Sequence, residues 1–391
     1  MLDSFYELYL AFKERGKKHF SETKWANEPL APGELGTLPP RRGDTTKPNN
    51  GTRIEYMRKV VHMHVKIKVV GVWDTVGSLT ATNWWGGEAG EDLTFHTTKL
   101  SSSEFNTRIS YSAQLLINLE IENAFHALAI DETRGNFPPT LWYLGPSCYD
   151  ADEKPKVNLK QVWFPGYHSD VGGHSISSID TNSVDEIALS WMIDQLHDLL
   201  QLSTAAVAKY ILYRIGDANL DTSNPKIRDL DAAWRSISWS NGTLEDNNKW
   251  MDGWWVASVV SKGSMSYKRV PGETKAYEGD KLVDYRHFNE EIHPSVHHRM
   301  VERKDQKYVP VPFGKGSGWS YIAPSNGSRG RWVKVTKDKD GKDKTIVLNE
   351  YLIANPKSSA TSSGYAHWQG SLERTFAPKD VLAAQDAVNA K

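Results

Sequence analysis

The chain has 391 residues, and its 47 basic side chains against 48 acidic ones leave a net charge of −1. So even a balance provides no field to gather nucleic acid or an anionic membrane, and the length allows one large domain with additions or two domains sharing an interface. The single cysteine, Cys148, excludes an internal disulfide; with no signal-peptide pattern and no apolar run of membrane-spanning length, a cytoplasmic chain without a transmembrane segment is expected.

Apolar positions from Leu2 to Arg15 recur around one helix, and a Pro-, Gly-, Thr- and Asn-rich excursion follows from Glu28 to Thr52. A second helix is expected over Ile54 to His62. The stretch VKIKVVGVWDTVGSLT, Val65 to Thr80, then reads as a strand buried on both faces of a parallel sheet, with Lys66 and Lys68 interrupting its start. Asp74 lies just past its carboxyl end, where open α/β sheets gather ligands and catalytic groups.

Glu122 to Glu132 spaces Ala124, Leu128 and Ala129 as a short buried helix ending near Arg134, and FPPTLW breaks it. Leu159 to Phe164 reads as a second strand, stopped by Pro165 and followed by GYHSDVGGHS. Val184 to Leu202 has the clearest amphipathic spacing, with Ser183 as its cap and Asp185 and Glu186 in the first turn. Strand, Gly-rich loop and helix in that order repeat an α/β unit. Beyond Leu202 the pattern loosens into an aromatic patch from Trp234 to Trp255. Arg331 to Leu352 reads as a β-hairpin turning at Asp340-Gly341, its lysines a solvated tip, and the Ser-, Gly- and Ala-rich tail after Ala354 is expected to fray. The organisation that follows is a core over 1–202, an irregular extension over 203–354 packed on that core, and a flexible tail over 355–391.

A histidine in a tight Pro/Gly loop at a strand terminus is well placed as a general base, because imidazole titrates near neutral pH and a carboxylate can fix its tautomer. His168 is that candidate and Asp74 its orienting acid. The alternative is that His168 is a hydrogen-bonded loop residue and that Gly166, Gly172 and Gly173 serve only the turn. Two histidine pairs, His62 with His64 and His293 with His297, have metal-ligand spacing but no third ligand nearby in sequence.

The blocks GVWDTVGSL, NAFHALAIDETR with FPPTLWY, LKQVWFPGYHSDVGGH, EIALSWMIDQL and IHPSVHHR resemble the α/β-hydrolase-like family typified by the catalytic domain of type VI secretion phospholipase effectors, a pattern shared by many fungal proteins. The resemblance implies a serine esterase or lipase fold that needs no metal or organic cofactor. It matches Asp74 to the family's acid, His168 to its histidine, and Asp170 to a supporting or alternate acid beside the loop glycines. A lipid or other ester is the implied substrate; protein partners are not indicated.

One departure is large. In that fold the serine precedes the acid on a GxSxG turn between strand and helix. Only Ser4 and Ser21 precede Asp74, neither has flanking glycines, and no GxSxG occurs in the chain. The expectation is therefore the carboxyl-terminal part of a phospholipase-like hydrolase, inactive as it stands and with an open apolar sheet edge, in which Ser101 to Glu120 is either an inserted loop or a gene-model error. The rival reading is a non-catalytic binding protein that uses Trp239, Trp250, Trp254 and Trp255 as an aromatic surface.

Overall fold

The computed structural model describes residues 64–76, 99–100, 118–134, 137–173, 184–203, 205–207, 239–240, 242, 244, 268–275, 277–278, 281–302, 307–325, 327–338, 341–354 and 371–389. The two amino-terminal helices, the side chains of His62 and His64, Ser183, Trp250, Trp254 and Trp255 lie outside the described residues.

The expected first strand is present as β1 (His64–Ile67) and β2 (Val70–Trp73). Next come β3 (Lys99–Leu100), β4 (Asn118–Ile121) and β5 (Asn123–Ala129). β1 runs parallel to β4 and β2 parallel to β5, and in both pairs each residue faces the one 54 positions further on. The break at Lys68 and Val69 is therefore a bend in one continuous strand pair, not a change of register. It is held by the Asn123 side-chain amide donating to the Lys68 carbonyl at 2.8 Å and by Glu122 N–H donating to the Ile67 carbonyl at 2.9 Å.

β5 corrects the expected helix. All seven of its residues are buried between β2 and β7 (Asn158–Phe164), so the run has no polar face to reveal a strand period, and its apolar spacing mimics a helix. The intervening β6 (Tyr143–Leu144) pairs in parallel with β3. β7 lies where the second strand was expected. After it come α1 (His168–Gly172) and α2 (Asp185–His197). α2 stops short of Leu202, and its cap position is Val184, which supplies no side-chain cap.

The carboxyl-terminal half adds a small ladder, β8 (Tyr277–Glu278) with β9 (Lys281–Leu282), then β10 (Glu290–Ile292) and α3 (Pro294–Glu302). It continues through β11 (Trp319–Ile322), β12 (Arg331–Lys337) and β13 (Asp343–Asn349) to α4 (Leu372–Phe376) and α5 (Lys379–Asn389). The main sheet is wholly parallel in the order β10-β7-β5-β2. The strand buried on both faces is β5, not the Asp74-bearing strand: β2 ends the sheet among the described residues and is only partly buried.

Side chains alternate across this sheet into two cores. Phe125, Ala127, Val162 and Phe164 pack against Trp191 and Met192 of α2 and Phe376 of α4. Leu128, Ile130 and Trp163 pack the other way, against Val296 of α3, Trp332 and Leu348. With Trp163 and Trp191 fully buried on opposite faces, truncating either to alanine costs about 3–5 kcal/mol. A Cβ on Gly71 would lie 2.8 Å from Met192 Sδ, so β2 approaches α2 closely only because the residue is glycine.

The hairpin is confirmed, with an added strand. Pairing closes at Lys337 opposite Asp343, leaving the loop 338–342, where Asp338 N–H donates to the Lys342 carbonyl at 2.9 Å. Asp340, the first residue of the expected Asp340-Gly341 turn, lies outside the described residues. β11 lies on the free side of β12 and makes a three-stranded antiparallel sheet. The tail expected to fray after Ala354 instead carries α4 and α5 over 371–389. Asp194 on α2 accepts from Ser371 Oγ, Leu372 N–H and Glu373 N–H at 2.6, 2.7 and 3.0 Å, which ties the start of α4 to the core. No helix among the described residues is long and apolar enough to cross a membrane.

Candidate functional site

The carboxyl ends of β2, β5 and β7 gather three short segments: Asp74 after β2, Asp131 and Glu132 after β5, and the turn to His168 after β7. Asp74 is fully buried, with φ +39, a left-handed conformation that a non-glycine residue adopts only where its surroundings demand it. Here they do so through the backbone, since Asp74 N–H donates to the Ala127 carbonyl at 2.7 Å.

Its carboxylate is saturated. Oδ1 accepts Ala129 N–H at 2.9 Å and Arg269 Nη1 at 2.7 Å; Oδ2 accepts Arg269 Nη2 at 3.0 Å and pairs with His168 Nδ1 at 2.7 Å. Burial alone would raise the Asp74 pKa, but the His168 hydrogen bond and the Arg269 charge outweigh it and hold the group at about 2. A permanent carboxylate on Nδ1 keeps the ring proton there, leaving the Nε2 lone pair for chemistry. Nε2 has no hydrogen-bond partner among the described residues, and the side chain is 32% exposed.

Neighbouring groups fix the ring. Phe137 meets it edge-on with centroids 4.9 Å apart, and the Arg134 guanidinium lies 3.7 Å above the Phe137 ring. Glu132 Oε2 accepts His168 N–H at 3.2 Å and Arg134 Nη2 at 2.9 Å. Burial works against Glu132 ionising, yet the bonds from Arg134 bring its pKa below the usual value. Behind Asp74, His126 Nε2 accepts Thr75 N–H at 3.0 Å, so its proton resides on Nδ1, facing Gln161 Oε1 at 3.4 Å. Burial holds that imidazole neutral, with a pKa of about 4.

Among the residues expected from the sequence, Asp74 and His168 meet directly. Asp170 Oδ2 accepts Tyr167 N–H at 2.8 Å and so caps α1. Gly166 has φ +116 and a Cβ there would lie 2.7 Å from Asp170 Cβ, while Gly173 has φ +80 and ends α1. Gly172 has no atom within 4 Å of a Cβ position and plays no such part. Arg269, Phe137, Glu132 and Arg134 were not anticipated.

Other candidates disperse. His293 and His297 do not converge: His293 pairs with Glu373 at 3.0 Å and Ser295 at 2.6 Å, whereas His297 stacks on Tyr321 at 3.6 Å. Among the described residues no group of three or more His, Cys, Asp or Glu is arranged to hold a metal. Trp239 is 2% exposed and packs on His293 and His298, which removes it from any binding surface. One Gly-x-Ser sequence of the chain, Gly145-Pro146-Ser147, leads into a 3-10 turn whose Cys148 packs with Val157 and Leu159 at the amino end of β7. His168 follows the opposite end of that seven-residue strand, roughly 20 Å away.

Neither a curated protein nor a solved structure matches the chain. A family model does, from residue 1 to residue 195, a span that includes Asp74, Glu132 and His168 but not Arg269. Over that segment the chain matches the family described as T6SS, phospholipase effector Tle1-like, catalytic domain.

Proposed function

We propose that this chain carries the acid–base pair of a serine-type ester hydrolase acting on a phospholipid or related lipid ester. The observation that carries the reading is the 2.7 Å contact between His168 Nδ1 and a buried Asp74 at the carboxyl ends of parallel strands, in a segment of phospholipase effector family. His168 Nε2 takes the proton of a serine hydroxyl as its oxygen attacks the ester carbonyl. The tetrahedral intermediate collapses, the leaving alcohol takes that proton from Nε2, and water releases the acyl group by the same route. Asp74 stays ionised throughout and stabilises the imidazolium. A cytoplasmic setting fits the lone thiol of Cys148, which is buried and donates to the Leu100 carbonyl at 3.0 Å.

The serine is assigned to no residue, because none of the 391 stands in a GxSxG sequence. The purified 391-residue chain should accordingly give no fluorophosphonate-labelled serine, and a labelled peptide would overturn that part of the reading. The hydrolase assignment is tested on protein isolated from its native source, with phosphatidylcholine vesicles as substrate. Fatty-acid release should fall by about 10⁴-fold or more with His168→Ala. Undiminished release would remove His168 as the base, and no release from the native protein would reject the hydrolase.

A further inference from the structure

We propose that Arg269 is a positioning residue of the Asp74–His168 pair, which neutralises the carboxylate and limits how strongly it stabilises the imidazolium. The proposal rests on Asp74 and His168 acting as an acid–base pair. It extends the site beyond residue 195, where the family match ends.

Geometry carries the argument. The Arg269 fork spans both oxygens of Asp74, at 2.7 and 3.0 Å, and the oxygen that takes Nη2 is the one that holds His168 Nδ1. Both side chains of the ion pair are fully buried, so no solvent screens the guanidinium. A lone buried carboxylate would present a full negative charge to the ring. An Asp–Arg pair presents a net-neutral dipole, and an imidazolium gains less from it. The same Nη2 donates to the Phe137 carbonyl at 2.9 Å, so one guanidinium holds both the acid beneath His168 and the residue whose ring meets its face.

The segment bearing Arg269 is itself fixed. Gly272 N–H donates to Glu290 Oε2 at 3.0 Å, and Glu273 pairs with Lys334 of β12 at 2.6 Å. Gly272 has φ +72, and a Cβ there would press on Ile346 and Leu348 of β13 at 3.0 and 3.1 Å. The carboxyl-terminal sheet thus orients Arg269. Other charged or titratable groups facing the pair are Glu132 at the His168 N–H, Arg134 over Phe137, neutral His126 behind Asp74, and Asp131 and Asp170 at the base of the turn. None of these bonds the Asp74 carboxylate as Arg269 does.

The test is an NMR titration of the His168 ring in the wild-type chain, R269Q and R269K, with the fold of each checked by its amide spectrum. With the cation removed, R269Q should raise the His168 midpoint by about one pH unit or more. R269K keeps the charge and loses the fork, and should shift by less than half as much. A purely structural role predicts that both variants, which lose the same bidentate contact, move alike or downward. An R269Q midpoint at or below wild type overturns the proposal. If R269Q does not fold, R269K decides: a rise as large as about one unit with the charge retained overturns it, and a midpoint near wild type supports it. The titration uses neither ester nor nucleophile. Failed lipid hydrolysis with the expected shift rejects the hydrolase reading alone, and a flat titration rejects the role of Arg269 alone.

Discussion

The Tyr308 hydroxyl donates to Asp131 Oδ2 at 2.7 Å, and the same oxygen accepts Gly166 N–H at 2.7 Å. Asp131 follows β5, Gly166 follows β7, and Tyr308 comes from beyond α3, so one buried carboxyl ties the turn that delivers His168 to the carboxyl-terminal half. Tyr308→Phe keeps the ring and deletes one of the two donors. The variant should lose about 1–3 kcal/mol of stability in urea unfolding, the penalty for a buried acceptor left short of a partner. A change within about 0.5 kcal/mol would mean that the tie contributes nothing measurable.

The loop glycines should separate sharply. Gly166→Ala forces a side chain into a φ of +116 with Asp170 Cβ 2.7 Å away, and should destabilise by about 1–3 kcal/mol. Gly173→Ala, at the left-handed end of α1, should cost about 1 kcal/mol. Gly172→Ala meets no atom within 4 Å and should stay within about 0.5 kcal/mol of wild type. Equal effects at Gly166 and Gly172 in parallel melts would contradict the loop geometry.

These glycines also show where sequence reasoning reached and where it stopped. Asp74 and His168 were legible because Asp74 directly follows a β-branched and aromatic strand run and His168 follows another through a Pro-Gly turn signal, so local chain order alone locates them at a sheet end. Arg269 was not: it lies 195 residues from Asp74, in a segment with no periodicity, and only the folded chain brings its fork to the carboxylate. β5 was misread because a strand buried on both faces loses the alternation that marks a strand, and Ala124, Leu128 and Ala129 happen to fall at helical spacing. β11 was hidden by Gly316 and Gly318, which read as loop, and the helices over 371–389 by the Ser- and Gly-rich composition just before them.

Replacing one member of the buried Asp74–Arg269 pair leaves the other stranded. Asp74→Asn should destabilise by about 3–5 kcal/mol, because a guanidinium that is wholly buried loses its counter-charge. Adding Arg269→Met should restore part of that loss, with the double variant more stable than the sum of the singles by at least about 1 kcal/mol. Additive effects across the cycle, measured by urea unfolding, would show that the two side chains do not act as a unit. The large cost also means that loss of activity in Asp74→Asn must be read beside its folded fraction.

Stability should decline toward alkaline pH. Burial raises the carboxyls of Asp131 to about 6, Asp194, Glu290 and Glu350 to about 7, and Glu373 to about 8. Each binds its proton more tightly folded than unfolded, so its contribution is full below about pH 4 and is lost as pH rises through the folded value. Burial acts oppositely on His126 and His297, held near 4, and on His293, held near 3. Those three favour folding above about pH 6.5 and lose that contribution as pH falls through their folded values. The Asp74 contribution, with a folded value of about 2, is present above about pH 4 and disappears only in stronger acid. Five carboxyls outweigh three imidazoles between these limits, so the melting temperature should be higher at about pH 5.5 than at about pH 8.5. Glu290→Gln isolates one part of this. A glutamine carbonyl oxygen can still accept the Trp163 indole N–H and the Gly272 N–H, at 2.8 and 3.0 Å, but it has no proton to lose. The variant should therefore surrender less stability than wild type between about pH 6 and pH 8. Identical pH slopes for the two proteins would place the Glu290 proton elsewhere.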